Sequence, residues 1–247
     1  MSIESPADWK GLRDAGRVVR LTLDALEQRV QPGVSTGELD RVAASVFGAN
    51  GARSAPALLY RFPGTVLISI NDEVVHGVPG ARRLRSGDLV KLDVTVEKNG
   101  YMADAARTTI VGSGTDVARR LRDCVYAAFR EALSAACAGN RVSEIGRAVE
   151  AEVRRRGFTV MRGLGGHGIG RAIHEAPSVP NCYDPRQRDL LTEGLVVTIE
   201  PIISSGSDRT VEERDGWTLR TSDGSLSAHH EHTIVITGSR PVILTAA

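Results

Sequence analysis

Gly87-Asp88-Leu89-Val90-Lys91-Leu92-Asp93 and, 107 residues further on, Gly194-Leu195-Val196-Val197-Thr198-Ile199-Glu200 decide the fold. Each runs from a glycine through an apolar strand to a carboxylate six positions later. A second pair recurs at nearly the same offset. Val34-Ser35 opens one helical stretch, and Val142-Ser143 opens another 108 residues later. Two correspondences at nearly the same spacing point to a duplicated unit.

Hydrophobic periodicity fills in the order around these segments. Residues 8–30 place Leu12, Ala15, Val19, Leu23, Leu26 and Val30 at helical spacing, and Pro32-Gly33 ends the run. Ser35-Thr36-Gly37-Glu38 fits a capping box for a second helix, which reaches about residue 49 before Asn50-Gly51. From about residue 56 to 111 the pattern turns strand-like, with 65–70, 88–97 and 101–111 rich in Val, Ile and Thr. Helical periodicity returns over 115–138 and 143–156, and strand-like segments run from 158 to the end. The order of helix pair, strands, helix pair, strands predicts one α+β domain of two pseudo-symmetric halves, about 8–111 and 115–237. Such a fold would bring Asp93 and Glu200 together across a pseudo-twofold axis.

Composition narrows the class. The 247 residues carry 31 basic and 30 acidic side chains, a net charge of +1, so neither a nucleic acid nor an anionic membrane is the expected partner. Three cysteines argue against a disulfide scaffold and for a reducing compartment. The first ten residues lack the basic and apolar segments of a signal peptide, and no apolar run approaches the roughly 18 residues of a membrane span. A cytoplasmic protein is expected. The six histidines all lie beyond residue 75 and outside the helical stretches.

Around those histidines sit acids in apolar surroundings. Asn99-Gly100 is a type I′ hairpin signal, which pairs Lys98 with Tyr101 and Thr95 with Asp104. Val90, Leu92, Val94 and Val96 then share one face, with Lys91, Asp93 and Thr95 on the other. Asp104 falls on the Asp93 face, diagonal to it at roughly 7–8 Å. Glu200-Pro201 interrupts a second apolar strand, and Glu231 lies within Ser227–Val235. Gly165-Gly166-His167-Gly168-Ile169-Gly170 sets a histidine on a glycine scaffold, with His174 seven residues later. Gly163 to Gly168 formally matches a dinucleotide-binding fingerprint. Pro177 and Pro180 leave no room for the crossover helix that motif requires, so the match is rejected.

Four buried carboxylates would cost several kcal/mol each unless compensated, roughly the penalty of an unpaired buried ion. A pair of divalent cations removes that cost. Oxygen-rich ligation with one imidazole suits Mn²⁺, Fe²⁺ or Co²⁺ at least as well as Zn²⁺. Two such ions point to hydrolysis.

The segments INDEVVHGVP (70–79), KLDVTVEKNGYMADAART (91–108), GGHGIGRAIHEAP (165–177), TIEPI (198–202) and DGWTLRTSDGSLSAHHEHTIVIT (215–237) together resemble the type I methionine aminopeptidases. That resemblance spans the chain in order and implies their pita-bread fold and a dinuclear metal hydrolase. It implies that Asp104 and Glu231 bridge two divalent ions, that Asp93 chelates one, and that His167 and Glu200 complete the other. It further implies a metal-bridging hydroxide attacking the carbonyl of an N-terminal methionine, with Glu200 shuttling the proton. His174 would donate to the carbonyl oxygen, and His76 would contact the peptide beyond the scissile bond. Leu59, Phe62, Leu67, Ile173 and Trp217 would form the methionine pocket. The implied substrates are nascent chains with a small second residue, met by a monomer, with the ribosome as the meeting place.

Leu164, Leu67 and Cys182 depart from the family pattern and bear on fine specificity. His229, His230 and His232 read as structural or as supports of Glu231, and Cys182 needs no catalytic role. The rivals are an X-Pro aminopeptidase or dipeptidase of the same fold and a non-catalytic pita-bread binding protein.

Overall fold

The computed structural model describes residues 1–246. Its helices begin where the sequence caps them. Helix α1 (Pro6–Glu27) starts two residues earlier than its apolar spacing suggests, because the Ser5 hydroxyl accepts the Asp8 N–H and Pro6 needs no N–H partner in a first turn. It stops at Glu27 rather than residue 30. Its last turn tightens, with Arg29 N–H donating to the Leu26 carbonyl and Val30 N–H to that of Glu27. Helix α2 (Thr36–Ala49) carries both arms of the expected capping box, Ser35 with Glu38. Helix α3 (Ala55–Tyr60) lies in a stretch read as strand-like; Ser54 caps it and Pro56 sits in its first turn. Six residues are too few for periodicity to register. Helix α4 (Asp116–Ala135) is capped by Thr115, and helix α5 (Val142–Arg155) follows it.

The hairpin forms in the register read from the sequence. Leu89–Lys98 and Tyr101–Ile110 pair with Lys98 opposite Tyr101 and Thr95 opposite Asp104. Asn99 and Gly100 take φ of 53° and 79°, the left-handed pair a type I′ turn demands. Leu67–Ile70 and Arg53–Ser54 also pair with the incoming strand, and Leu67 lies opposite Asp93. A second sheet runs in the order Val242–Ile243, His232–Val235, Val196–Ile199, Gly165–Gly168, Glu175–Pro180. Glu175–Pro180 is a strand, so the glycine-rich loop leads into no helix.

Helices cover the outer faces of these two larger sheets and of a three-stranded one, Ser227–His229 with Ile202–Ser204 and Thr159–Val160. Leu23 and Leu26 of α1 and Leu39 and Phe47 of α2 pack with Val90, Leu92, Val94 and Val96. Leu121 and Val125 of α4 and Ile145 and Val149 of α5 pack with Val197, Ile199, Ile203 and Ile234. Side chains alternate along a strand, so burying one face under helices turns the alternate residues inward. Asp93 and Asp104 are such alternates. The two sheets meet along Tyr101–Ile110, where Ala106 and Glu231 exchange backbone hydrogen bonds. That seam sets Glu231 beside the two aspartates. Among the described residues, no helix is long and apolar enough to cross a membrane.

Candidate metal centre

A cavity of about 210 Å³ opens where the sheets meet, and Asp93, Asp104, Glu200, Glu231, His167, His76 and His174 all line it. The hairpin contributes the two aspartates. Glu231 sits between the strands Ser227–His229 and His232–Val235, and Glu200 follows Val196–Ile199 directly. The fold thus gathers onto one surface acids that are up to 138 residues apart in the chain (93 to 231).

These carboxylates are short of partners. Asp93 Oδ1, Asp104 Oδ1 and Glu231 Oε1 are buried with no hydrogen-bond partner among the described residues. Asp104 keeps one bond, accepting from the Thr95 hydroxyl at 2.8 Å. Burial pushes all four carboxyl groups upward, Asp104 to about 6 and Glu200 to about 8. For Asp93 and Glu231 the neighbouring charges of Asp104 and Glu200 add to burial in raising them. A cation among them would restore the ionised forms and satisfy the orphaned oxygens.

The donor set fits that role. Ligand atoms of Asp104, His167 and Glu231 lie within 4.8 Å of one another, as do those of Asp93, His229 and Glu231. His167 presents the right atom. Its Nδ1 is 3.0 Å from the Gly168 carbonyl, which can only accept, so Nδ1 carries the proton and Nε2 keeps its lone pair. Nε2 lies 3.7 Å from Glu200 Oε2, and burial lowers the ring to about 4, holding it neutral. The Thr198 hydroxyl ties the two together, accepting the His167 N–H at 3.0 Å and donating to Glu200 Oε2 at 3.1 Å. Glycine at 166 is required here: a Cβ would lie 2.2 Å from the Thr198 carbonyl oxygen.

One wall of the cavity is apolar. Phe62, Leu67 and Ile173 line it and are buried, and Trp217 meets Phe62 edge-to-face with centroids 5.2 Å apart. Leu67 belongs there because it faces Asp93 across the sheet. Leu164 also lines the cavity. Leu59, expected in this wall, is instead 45% exposed and does not line it. The helical pitch of α3 turns Pro56 and Tyr60, four apart, toward the cavity and Leu59 away. Cys182 lies outside the cavity as well.

His76 and His174 stand at the mouth. His76 holds a left-handed φ of 60°. His174 packs against His167 with centroids 4.4 Å apart, and its Nδ1 is 2.8 Å from the Tyr60 hydroxyl. Tyr60 gives no signal in the sequence, because α3 is too short for its periodicity to show. The support that Thr95 gives Asp104 and Thr198 gives Glu200 is signalled only by position, opposite the one and two before the other.

Comparison with known proteins gives the family and the fold. The model of metallopeptidase family M24 matches residues 10–238. The protein named methionine aminopeptidase 2 of Bacillus subtilis (strain 168) is 43% identical over 247 residues, covering 99% of each chain. The solved methionine aminopeptidase of Thermotoga maritima superposes with a TM-score of 0.96 at 32% identity, again covering 99% of both chains. The Pyrococcus furiosus prolidase shares the fold, with a TM-score of 0.79 at 23% identity. The present chain covers 98% of its own length in that match but 65% of the prolidase. The acids, the imidazole and the apolar wall thus stand on the pita-bread fold in a chain matched end to end by methionine aminopeptidases, and the chain belongs to metallopeptidase family M24, in its methionine aminopeptidase branch.

Proposed function

We propose that the cavity removes the N-terminal methionine from peptides, using two divalent cations, Co²⁺, Mn²⁺, Fe²⁺ or Zn²⁺. The observation that carries this reading is the placement of the orphaned carboxylates of Asp93, Asp104 and Glu231 in one cavity with the apolar wall of Phe62, Leu67, Ile173 and Trp217. Asp93, Asp104 and Glu231 would hold one ion; Asp104, Glu231, His167 and Glu200 the other. Bound there, the ions supply Lewis acidity toward a carbonyl and lower the pKa of water.

The protein's own groups do the rest. Phe62, Leu67, Ile173 and Trp217 take the methionine side chain, which fixes the scissile carbonyl over the acids. Glu200, kept ionised by the cation it would hold, accepts a proton from water and returns it to the leaving amine. His174, oriented by Tyr60, donates to the carbonyl oxygen as negative charge develops. His76 contacts the peptide beyond the scissile bond. A narrow adjoining subsite admits only small second residues by steric exclusion. The enzyme acts as a cytoplasmic monomer on nascent chains at the ribosome.

The test is an assay of metal-reconstituted protein on Met-Ala-Ser, Leu-Ala-Ser and an X-Pro peptide. Release of methionine from the first alone supports the reading. Preference for the X-Pro peptide would replace it with a prolidase-type activity. No release with any metal from folded protein would favour a binding module.

A further inference from the structure

We propose that His229 is a further metal ligand, giving through Nε2 an imidazole to the cation held by Asp93 and Glu231. The assignment rests on reading the acid cluster as a cation site and adds a donor to it. His229 ends the strand Ser227–His229, is 2% exposed and lines the cavity. Its Nε2 is buried with no hydrogen-bond partner among the described residues, as are Asp93 Oδ1 and Glu231 Oε1. These three unsatisfied atoms, one on the hairpin, one ending Ser227–His229 and one two residues beyond it, belong to residues that line the same cavity.

Distance separates a ligand from a hydrogen-bond donor. Nε2 lies 3.4 Å from Glu231 Oε2, and no hydrogen bond joins them. Two donors bound to one ion at about 2.0–2.2 Å stand roughly 3–4.3 Å apart, for angles between a right angle and a straight line. The gap is long for an N–H···O bond and suited to a shared cation. The donor atoms of Asp93, His229 and Glu231 all lie within 4.8 Å of one another, so the whole group is gathered where one ion would sit.

The backbone holds His229 in this position. Its N–H donates to the Thr108 hydroxyl at 2.9 Å, and its carbonyl accepts from that hydroxyl at 2.6 Å. The two triads, Asp93-His229-Glu231 and Asp104-His167-Glu231, then match in chemistry, each with two carboxylates and one imidazole, and share Glu231. An imidazole at the first position shifts its preference from purely oxygen-seeking ions toward Co²⁺, Fe²⁺ and Zn²⁺.

X-ray absorption at the cobalt edge of the full chain, loaded with Co²⁺ alone, tests the assignment. Two ions sharing two histidines give about one imidazole per cobalt, and His229→Ala halves that to about 0.5. His167→Ala loaded with one equivalent still shows an imidazole, now from His229 alone. His229→Gln, closer in size, serves should the alanine variant fail to fold. About half an imidazole per cobalt in the wild type, unchanged in either His229 variant, would overturn the assignment while leaving the metal site standing, as would loss of all imidazole in His167→Ala. A folded wild type that takes up no cobalt would overturn the metal reading itself, and this ligand with it.

Discussion

Thr233 and Asp104 hold each other across the seam between the two sheets: the Thr233 hydroxyl accepts the Asp104 N–H at 2.8 Å and donates to the Asp104 carbonyl at 2.8 Å. Thr108 does the same for His229, and between them Ala106 and Glu231 exchange backbone bonds at 3.3 and 2.9 Å. The three pairs, 104 with 233, 106 with 231 and 108 with 229, keep one antiparallel register. The strands meet directly at the middle pair and splay on either side, where a threonine side chain spans the gap. Asp104 and Glu231 are thus held by the same short stretch of seam.

Thr233→Val keeps the side-chain shape but leaves the buried Asp104 N–H and carbonyl without partners. A loss of about 1–3 kcal/mol is expected, the cost of stranding such groups. Urea unfolding of the metal-free protein measures it, and cobalt titration should show weaker binding as Asp104 drifts.

Asp104→Ala and Glu231→Ala should each lose both cations together, because on the proposed ligation each carboxylate serves both ions. His167→Ala should lose one. Metal-to-protein ratios after dialysis decide between these outcomes, and retention of both ions in either acid variant refutes the bridging roles. In the metal-free state Glu231→Gln should be more stable than wild type, since a desolvated carboxyl crowded by Asp104 and Glu200 is gone.

Tyr60→Phe removes the partner of His174 Nδ1 and frees the ring to turn. A fall in kcat of about 10-fold is expected with KM little changed, against roughly 10²–10³-fold for His174→Ala. Steady-state kinetics on one Met-Ala peptide compares the two.

Gly166→Ala would place a methyl 2.2 Å from the Thr198 carbonyl oxygen, so the strand bearing His167 must move. Destabilisation of about 1–3 kcal/mol is expected, the usual cost of overpacking. Cation binding that involves His167 should weaken with it. Calorimetry with and without Co²⁺ reads both effects.

Alkaline pH should destabilise the protein through α4. Burial raises the Cys124 thiol from 9.0 to about 11, so the unfolded chain releases this proton first. Stability from the neutral thiol is whole below pH 9.0, falls as pH rises toward 11 and is gone above it. Tyr126, raised by burial to about 12, adds a further loss at higher pH. Urea midpoints across this range should fall in wild type and fall less steeply in Cys124→Ala.

Much of the protein is legible along the chain because its causes are local. A type I′ turn at Asn99-Gly100 sets the register that puts Asp93 and Asp104 on one face, and alternation with Val90, Leu92, Val94 and Val96 says which face is apolar. Ser35 and Glu38 mark a helix start within four residues. Acids at 93, 104, 200 and 231 and an imidazole at 167 stand out because an apolar strand or a glycine-rich loop has no other use for them. What the chain does not reveal depends on contacts between elements far apart in sequence. The placement of Leu59 outside the cavity and of Tyr60 beside His174 follows from the pitch of a six-residue helix. The pairing of Thr108 with His229 and Thr233 with Asp104 follows from the angle at which two sheets splay. A side chain's type declares its chemistry in the sequence, but which partner it meets is set by packing, and only the tertiary structure decided that His229 faces the acids.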